Sequence, residues 1–180
     1  MIKIAIVGNI AAGKSTVEKI IQDKGFNVYD TDKISHEILE NSNEIKEYFG
    51  TVDRKEIAKI VFSDKEKLKK LESIIHPKVK EELEKIFLID ERFVFVSVPQ
   101  LFEAGFDSMF DKIIYVTADE NIRKERLIKR NAYTNEEAQK RIDAQSENNK
   151  AKLSDFIIEN NSTIENLTYQ IEKILSILVR

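Results

Sequence analysis

Eight residues near the N-terminus restrict this chain more than any other stretch. Gly8-Asn9-Ile10-Ala11-Ala12-Gly13-Lys14-Ser15 fits the pattern G-x-x-x-x-G-K-[ST] in full. At average residue frequencies, fewer than about one chain of this length in a hundred carries such a match by chance. The turn works only if a strand feeds it and a helix leaves it, because consecutive backbone N–H groups and the helix N-terminus must face one anion. Both flanks are present. Residues 2–7 form the run Ile-Lys-Ile-Ala-Ile-Val, and Val17, Ile20 and Ile21 mark one face of a helix that Gly25 stops. In a loop of this kind Lys14 reaches the β- and γ-phosphates of ATP, the Ser15 hydroxyl holds Mg²⁺, and Thr16 offers a further hydroxyl. Gly8, Ala11, Ala12 and Gly13 are small enough for the backbone to approach the phosphates closely.

The rest of the chain alternates as such a loop requires. Short apolar runs at 26–29, 93–98, 113–116 and 156–158 read as strands covered on both faces of a parallel sheet, with helical patterns between them. The expected fold is α/β: a P-loop NTPase-type three-layer sandwich, with a mostly parallel five-stranded sheet, in one domain over residues 1–180. Residues 30–92 read as helix after helix, whereas a crossover needs only about a dozen residues. The surplus predicts a helical insertion at about 31–92, walling a substrate pocket at the carboxyl ends of the strands. A very polar stretch with few apolar anchors predicts a helical lid at about 126–150. Capping boxes predict helix starts at Ser63…Glu66, Thr117…Glu120, Thr134…Glu137 and Ser162…Glu165.

Composition narrows the function classes. There is no cysteine, which excludes disulfides, thiolate metal sites and thiol catalysis. The net charge of −3 gives no global basic field, so no nucleic-acid partner is expected. No apolar run approaches a membrane span and the N-terminus lacks a secretory pattern, so a cytoplasmic protein without membrane contact is expected, monomeric or weakly homo-oligomeric.

Local motifs separate the kinds of nucleotide-binding protein. The nearest string to a guanine-reading N-K-x-D is Asn149-Lys150-Ala151-Lys152, with lysine where the aspartate belongs. The third strand runs into Pro99-Gln100-Leu101-Phe102-Glu103 rather than ending in an acid, so a magnesium-holding acid comes from elsewhere, with Asp30-Thr31-Asp32 the candidates. A carboxylate just past the second strand is placed to take a proton from a substrate hydroxyl. The same residues suit a helix N-cap, and one aspartate can cap while the other acts. Arg123, Arg126 and Arg130 recur at i, i+3 and i+7, where like charges repel unless an anion meets them. Arg126 and Arg130 are expected on the phosphates, Arg123 in solvent, and Arg141 either at the substrate or paired with a glutamate.

The joint order of these strings resembles the dephospho-coenzyme A kinase family. The matching pieces are residues 8–16, Asp30-Thr31-Asp32, Asp53-Arg54 with Val61-Phe62, Leu71-Glu72 with His76-Pro77, and residues 99–103. Arg126, Arg130, residues 141–145, Lys152 and Asp155-Phe156-Ile157-Ile158 with Asn160-Asn161 follow in sequence. The resemblance implies transfer of the γ-phosphoryl of ATP to the 3′-hydroxyl of dephospho-CoA, with Mg²⁺. It implies Asp32, Lys14 and Arg130 as catalytic residues and Asn160 near the adenine. His76, Leu101, Phe102, Glu103 and Arg141 fall on the substrate side, with Pro77 opening a helix. The chain departs from the family where Asn9, Ala11 and Ala12 replace its usual glycines and Ser162 follows the asparagine pair. A kinase of another nucleotide or small metabolite, and a nucleotide-gated module without transfer activity, are the alternatives. The intact Lys14 and Asp32 speak against the latter.

Overall fold

The computed structural model describes residues 1–145 and 150–179. The elements run β1 (Ile2–Gly8), α1 (Lys14–Asp23), β2 (Val28–Asp30), α2 (Thr31–Asn41), α3 (Asn43–Phe49), α4 (Arg54–Phe62) and α5 (Lys65–Ile86). They continue with β3 (Phe93–Ser97), β4 (Lys112–Thr117), α6 (Glu120–Asn131), α7 (Asn135–Asp143), β5 (Phe156–Glu159) and α8 (Ile164–Leu178). Each expected strand is found within two residues of its expected limits. The chain forms two compact units: Asp30–Glu91 with Met1, and Ile2–Tyr29 with the chain from Arg92 onward.

The larger unit is built on a five-stranded sheet in the order β2-β3-β1-β4-β5. The β1–β3, β1–β4 and β4–β5 pairings are all parallel, with Ile4 opposite both Phe95 and Lys112. The strands read as unbroken apolar runs because they are covered on both sides: Ile4, Ala5, Ile6 and Val7 are all buried. On one face Ile4, Ile6, Phe95, Ile114, Val116 and Ile158 pack against Val17 and Ile21 of α1. Leu167, Ile171, Ile174 and Leu178 of α8 complete that core at helical spacing. α1 ends in a Schellman turn: Phe26 N–H reaches Ile21 O (3.3 Å) and Gly25 N–H reaches Gln22 O (2.9 Å), with Gly25 at φ 89°. The turn brings Phe26 edge-on to Phe93 and Phe95, at 6.0 and 5.5 Å between ring centres.

The smaller unit is helical. Leu39, Ile45, Ile57, Leu71 and Ile74 form its core, flanked by Phe49, Val52, Val61 and Ile75. Its helices are capped by Asp30, Ser42, Asp53 and Asp64, each accepting an N–H from the first turn. Two sequence expectations need correction here. α5 is capped by Asp64 rather than Ser63, one residue earlier, because a carboxylate competes well for the same amides. Pro77 does not open a helix; it lies inside α5, where it removes one backbone rung. Burial of Leu71, Ile74, Val79 and Leu83 at helical spacing carries the helix across that gap.

Two of the other capping boxes also move. Thr117 remains in β4, paired with Glu159, and α6 starts at Asp119 without a side-chain cap bond. α8 is capped by Thr163 instead of Ser162. The box at Thr134 and Glu137 forms fully. Among the described residues no helix is long and apolar enough to cross a membrane.

The edge strand β5 is pinned by Asp155. Its Oδ1 accepts from Lys112 Nζ (2.8 Å) and its Oδ2 from Ile113 N–H (2.9 Å), while its own N–H returns to Ile113 O (3.0 Å). Partial burial raises the carboxyl pKa, but the Lys112 and Ile113 bonds outweigh it and hold it below the usual carboxylate value. A depressed pKa stabilises the fold above the unfolded value of about 3.9 and loses that contribution as pH falls through the folded one. Asp155→Asn is therefore expected to cost about 1 kcal/mol at pH 7, a figure discounted for partial exposure, and progressively less as the pH falls below the unfolded carboxylate value of about 3.9. Urea unfolding of both proteins at pH 7 and below that value measures the difference.

Candidate active site

β1 and α1 frame the glycine-lysine loop as the sequence requires. A Cβ on Gly8 would lie 2.9 Å from the Val116 carbonyl oxygen, so only glycine lets β1 end beside β4. Asn9 N–H donates to that same oxygen (3.2 Å), Ile10 N–H to Gln145 Oε1 (2.6 Å) and Ala12 N–H to Asn9 O (3.0 Å). The amides of Ala11, Gly13, Lys14 and Ser15 meet no protein acceptor among the described residues. Ala11 (φ 59°) and Gly13 (φ 91°) adopt left-handed conformations, which curl the loop into a concave nest of N–H groups. For Ala11 that conformation costs about 1–2 kcal/mol. Four donors at a helix N-terminus are chemically suited to one polyanion.

The back of the loop is held by two side chains. Ala12 O accepts from Asn160 Nδ2 (2.8 Å) and Arg126 Nη1 (3.2 Å), and the same Nη1 reaches Ala11 O (3.3 Å). Arg126 Nη2 donates to Asn160 O (2.9 Å), and Asn160 N–H donates to Thr117 O (2.8 Å). Beside them Asn161 and Asp119 exchange two bonds of 2.7 and 2.9 Å, locking the turn after β5 to the start of α6. Asn160 is thus buried behind the loop.

The arginine row does not share one environment. Arg123, expected in solvent, is 3% exposed, with Nε on Ala118 O at 3.0 Å. Arg126, expected on phosphate, is instead taken up by the loop carbonyls. Arg130 lies exposed, its Nε on Asn131 Oδ1 at 3.0 Å. The helical spacing is as expected; what the sequence could not give is that Arg123 meets Ala118 O while Arg126 meets Ala11 O, Ala12 O and Asn160 O.

Lys14 Nζ bonds Glu18 Oε1 (2.7 Å) and Ser97 Oγ. Sequence reasoning missed both partners. Glu18 was visible as the i+4 neighbour of Lys14, and Ser97 as the one hydroxyl in an apolar strand. Ser15 is exposed and Thr16 half-buried. The expectation of few anchors after Arg130 is also corrected: Ala138 and Ile142 are buried with Leu127, against Ile10 and Ala11 of the loop. Arg141 lies over the Tyr133 ring at 4.7 Å. Residues 146–149, part of the expected lid and including Asn149, lie outside the described residues.

On the expected substrate side, Leu101 is fully buried, a core residue rather than a pocket lining, and Phe102 is half-buried. Glu103 pairs with Lys150 (2.7 Å). In the smaller unit Asp30 Oδ1 accepts Asp32 N–H (2.9 Å) as the cap of α2, Asp32 is exposed, and His76 is half-buried inside α5. Among the described residues no group of three or more His, Asp or Glu is arranged to hold a metal.

The family model of dephospho-CoA kinase matches residues 2–166. The chain belongs to the dephospho-CoA kinase family. It is 41% identical to the dephospho-CoA kinase of Fusobacterium nucleatum, over 94% of this chain and 95% of that one. Against the Listeria monocytogenes dephospho-CoA kinase (strain EGD-e) it is 39% identical, over 93% and 92%. Among solved structures, the dephospho-CoA kinase from Campylobacter jejuni matches with a TM-score of 0.75 and 30% identity, over 97% of this chain and 95% of that one. A shikimate kinase from Bacteroides thetaiotaomicron covers 99% of each chain at 13% identity and a TM-score of 0.61, which is likeness of fold alone. As a member of a phosphate-loop kinase family the chain is a kinase that uses a nucleotide.

Gly13 offers a direct check on the loop. A Cβ there would fall 2.2 Å from Asn160 Nδ2, at a φ that alanine tolerates poorly. Strain and collision together cost about 2–3 kcal/mol, so Gly13→Ala is expected to weaken nucleotide binding roughly 100-fold. Calorimetric titration with ADP measures it.

Proposed function

We propose that this chain transfers the γ-phosphoryl group of ATP to the 3′-hydroxyl of the dephospho-CoA ribose, giving CoA and ADP and completing coenzyme A synthesis. The observation that carries the reading is the set of four loop amides at a helix N-terminus that meet no protein acceptor among the described residues, in a chain of this family. Catalysis of this type is mainly positioning and charge neutralisation. Lys14 exchanges Glu18 for the β- and γ-phosphate oxygens. The exposed Ser15 hydroxyl would hold Mg²⁺, which would neutralise charge on the phosphates.

Asp30 is engaged as the cap of α2, so the base role goes to Asp32. It accepts the proton of the attacking hydroxyl. Arg130 extends from α6 with its guanidinium at the surface and serves the transferring group. Arg141, Phe102 and His76 contribute to acceptor binding, and Glu103 contributes through its pairing with Lys150. With the protein bound to its two substrates, closure of the segment after Arg130 excludes water and suppresses hydrolysis of ATP.

Lys14→Ala is expected to abolish turnover. Asp32→Asn is expected to lower kcat by about 10²–10⁴ with ATP affinity nearly unchanged; full activity in that variant removes Asp32 from the mechanism. The acceptor is tested by incubating labelled ATP and Mg²⁺ with dephospho-CoA and with a panel of nucleoside monophosphates. Label in CoA supports the reading. Label only in a nucleoside diphosphate replaces it.

A further inference from the structure

We infer that Arg126 and Asn160 are positioning residues that aim the phosphate loop by gripping the Ala12 carbonyl from behind. The inference rests on the proposed nucleotide site and specifies how that site is held ready.

The argument begins with the peptide between Ala12 and Gly13. In a trans peptide the C=O and the following N–H point in opposite directions. Whatever holds Ala12 O therefore aims the N–H of Gly13 the other way. Ala12 O has two lone pairs, and both are engaged, by Asn160 Nδ2 at 2.8 Å and Arg126 Nη1 at 3.2 Å. On the opposite side, Gly13 N–H meets no protein acceptor among the described residues. A flip of this one peptide would place a carbonyl oxygen where an anion is to bind. It would exchange an attractive dipole for a repulsive one at the centre of the nest.

Local sequence offers little protection against that flip. Gly13 sits at φ 91°, the more permissive of the two left-handed positions, and Ala11 at φ 59° is strained. Strain of this kind persists where surrounding structure over-determines it. Here the surroundings are specific. Arg126 spans Ala11 O, Ala12 O and Asn160 O with two nitrogens, a planar fork that a lysine cannot reproduce. Asn160 is 8% exposed and anchored through its own N–H to Thr117 O at 2.8 Å, so its amide cannot drift. The Asn160 Nδ2 fills the space over Gly13 where a Cβ would stand, 2.2 Å away. The grip thus joins three segments that lie far apart in sequence: the loop, α6 and the turn after β5.

The experiment measures ADP affinity by calorimetry for Arg126→Lys, Arg126→Gln, Asn160→Asp and the Arg126→Gln/Asn160→Asp pair, alongside thermal unfolding of each without ligand. ADP carries no transferring phosphoryl group. Asn160→Asp keeps shape but puts an oxygen against Ala12 O, and is expected to weaken ADP binding at least tenfold. Arg126→Lys, which keeps the charge, is expected to lose nearly as much as Arg126→Gln. Because both residues act through one carbonyl, the double variant is expected to lose far less than the product of the single losses. Unchanged ADP affinity in the Arg126 variants, rescue by lysine, or multiplicative losses would each overturn the inference. Should Asn160→Asp fail to fold, the lysine-against-glutamine comparison at Arg126 decides alone. Absence of ADP binding in the unaltered protein would instead remove the nucleotide site itself, a separate result.

Discussion

A phosphate loop depends on which way a few peptide dipoles point. Each peptide unit presents a donor on one side and an acceptor on the other, and a polyanion is attracted only to the first. The loop between β1 and α1 achieves a one-sided arrangement by spending its acceptors on the protein. Val116 O takes the Asn9 amide, Asn9 O takes the Ala12 amide, and Ala11 O and Ala12 O are drawn toward Arg126 and Asn160. The amides of Ala11, Gly13, Lys14 and Ser15 remain without a protein acceptor among the described residues. A charge-assisted N–H bond to phosphate contributes about 1.5–3 kcal/mol, so four aligned amides outweigh the strain at Ala11 several times over. The parallel sheet serves this arrangement. β4 must lie close enough to β1 for Val116 O to reach Asn9, and β5 close enough to β4 for Asn160 to reach behind the loop.

The loop and the strands were legible in the sequence because their signals are local. Gly8, Gly13, Lys14 and Ser15 must occur at fixed spacing for the turn to exist at all, and an unbroken apolar run such as Ile4-Ala5-Ile6-Val7 is what a strand covered on both faces needs. Helix limits were less legible. Ser63 and Ser162 each have a second capping side chain as the next residue, and the pattern cannot say which wins. Thr117 fits a cap by composition, but its backbone belongs to the ladder with Glu159. The arginines of α6 were the hardest. Spacing placed all three on one face, whereas Arg123 is held by Ala118, just before the helix, and Arg126 by Ala12 and Asn160, which come from remote parts of the chain. A periodicity argument contains no information about what a face will meet.

Lys14 illustrates how the loop manages its one mobile charge. An ammonium left alone beside four N–H groups would add to a concentration of positive potential. Glu18, one helical turn on, and Ser97 at the end of β3 instead take its donors. The pair lies on a partly exposed helix face, where such an interaction is worth about 0.3–0.5 kcal/mol, so it is weak enough to be displaced. A triphosphate carries more charge than one carboxylate and brings it to both the amides and the lysine. In the proposed reaction phosphate takes the place of Glu18; without nucleotide, Glu18 and Ser97 pair the Lys14 ammonium.

Fold and loop together still do not select an acceptor. The shikimate kinase that shares this architecture over its whole length does so at 13% identity, so the sheet and the phosphate loop are compatible with more than one kind of kinase. What distinguishes one such kinase from another must lie in residues that the donor site does not use. In this chain the acceptor-side candidates lie both between Asp30 and Glu91, at Asp32 and His76, and beyond it, at Phe102, Glu103 and Arg141. The unit from Asp30 to Glu91 has its own core of Leu39, Ile45, Ile57, Leu71 and Ile74. Asp30 closes β2 and caps α2, which fixes the direction of the helix, and Asp32 follows in the first turn.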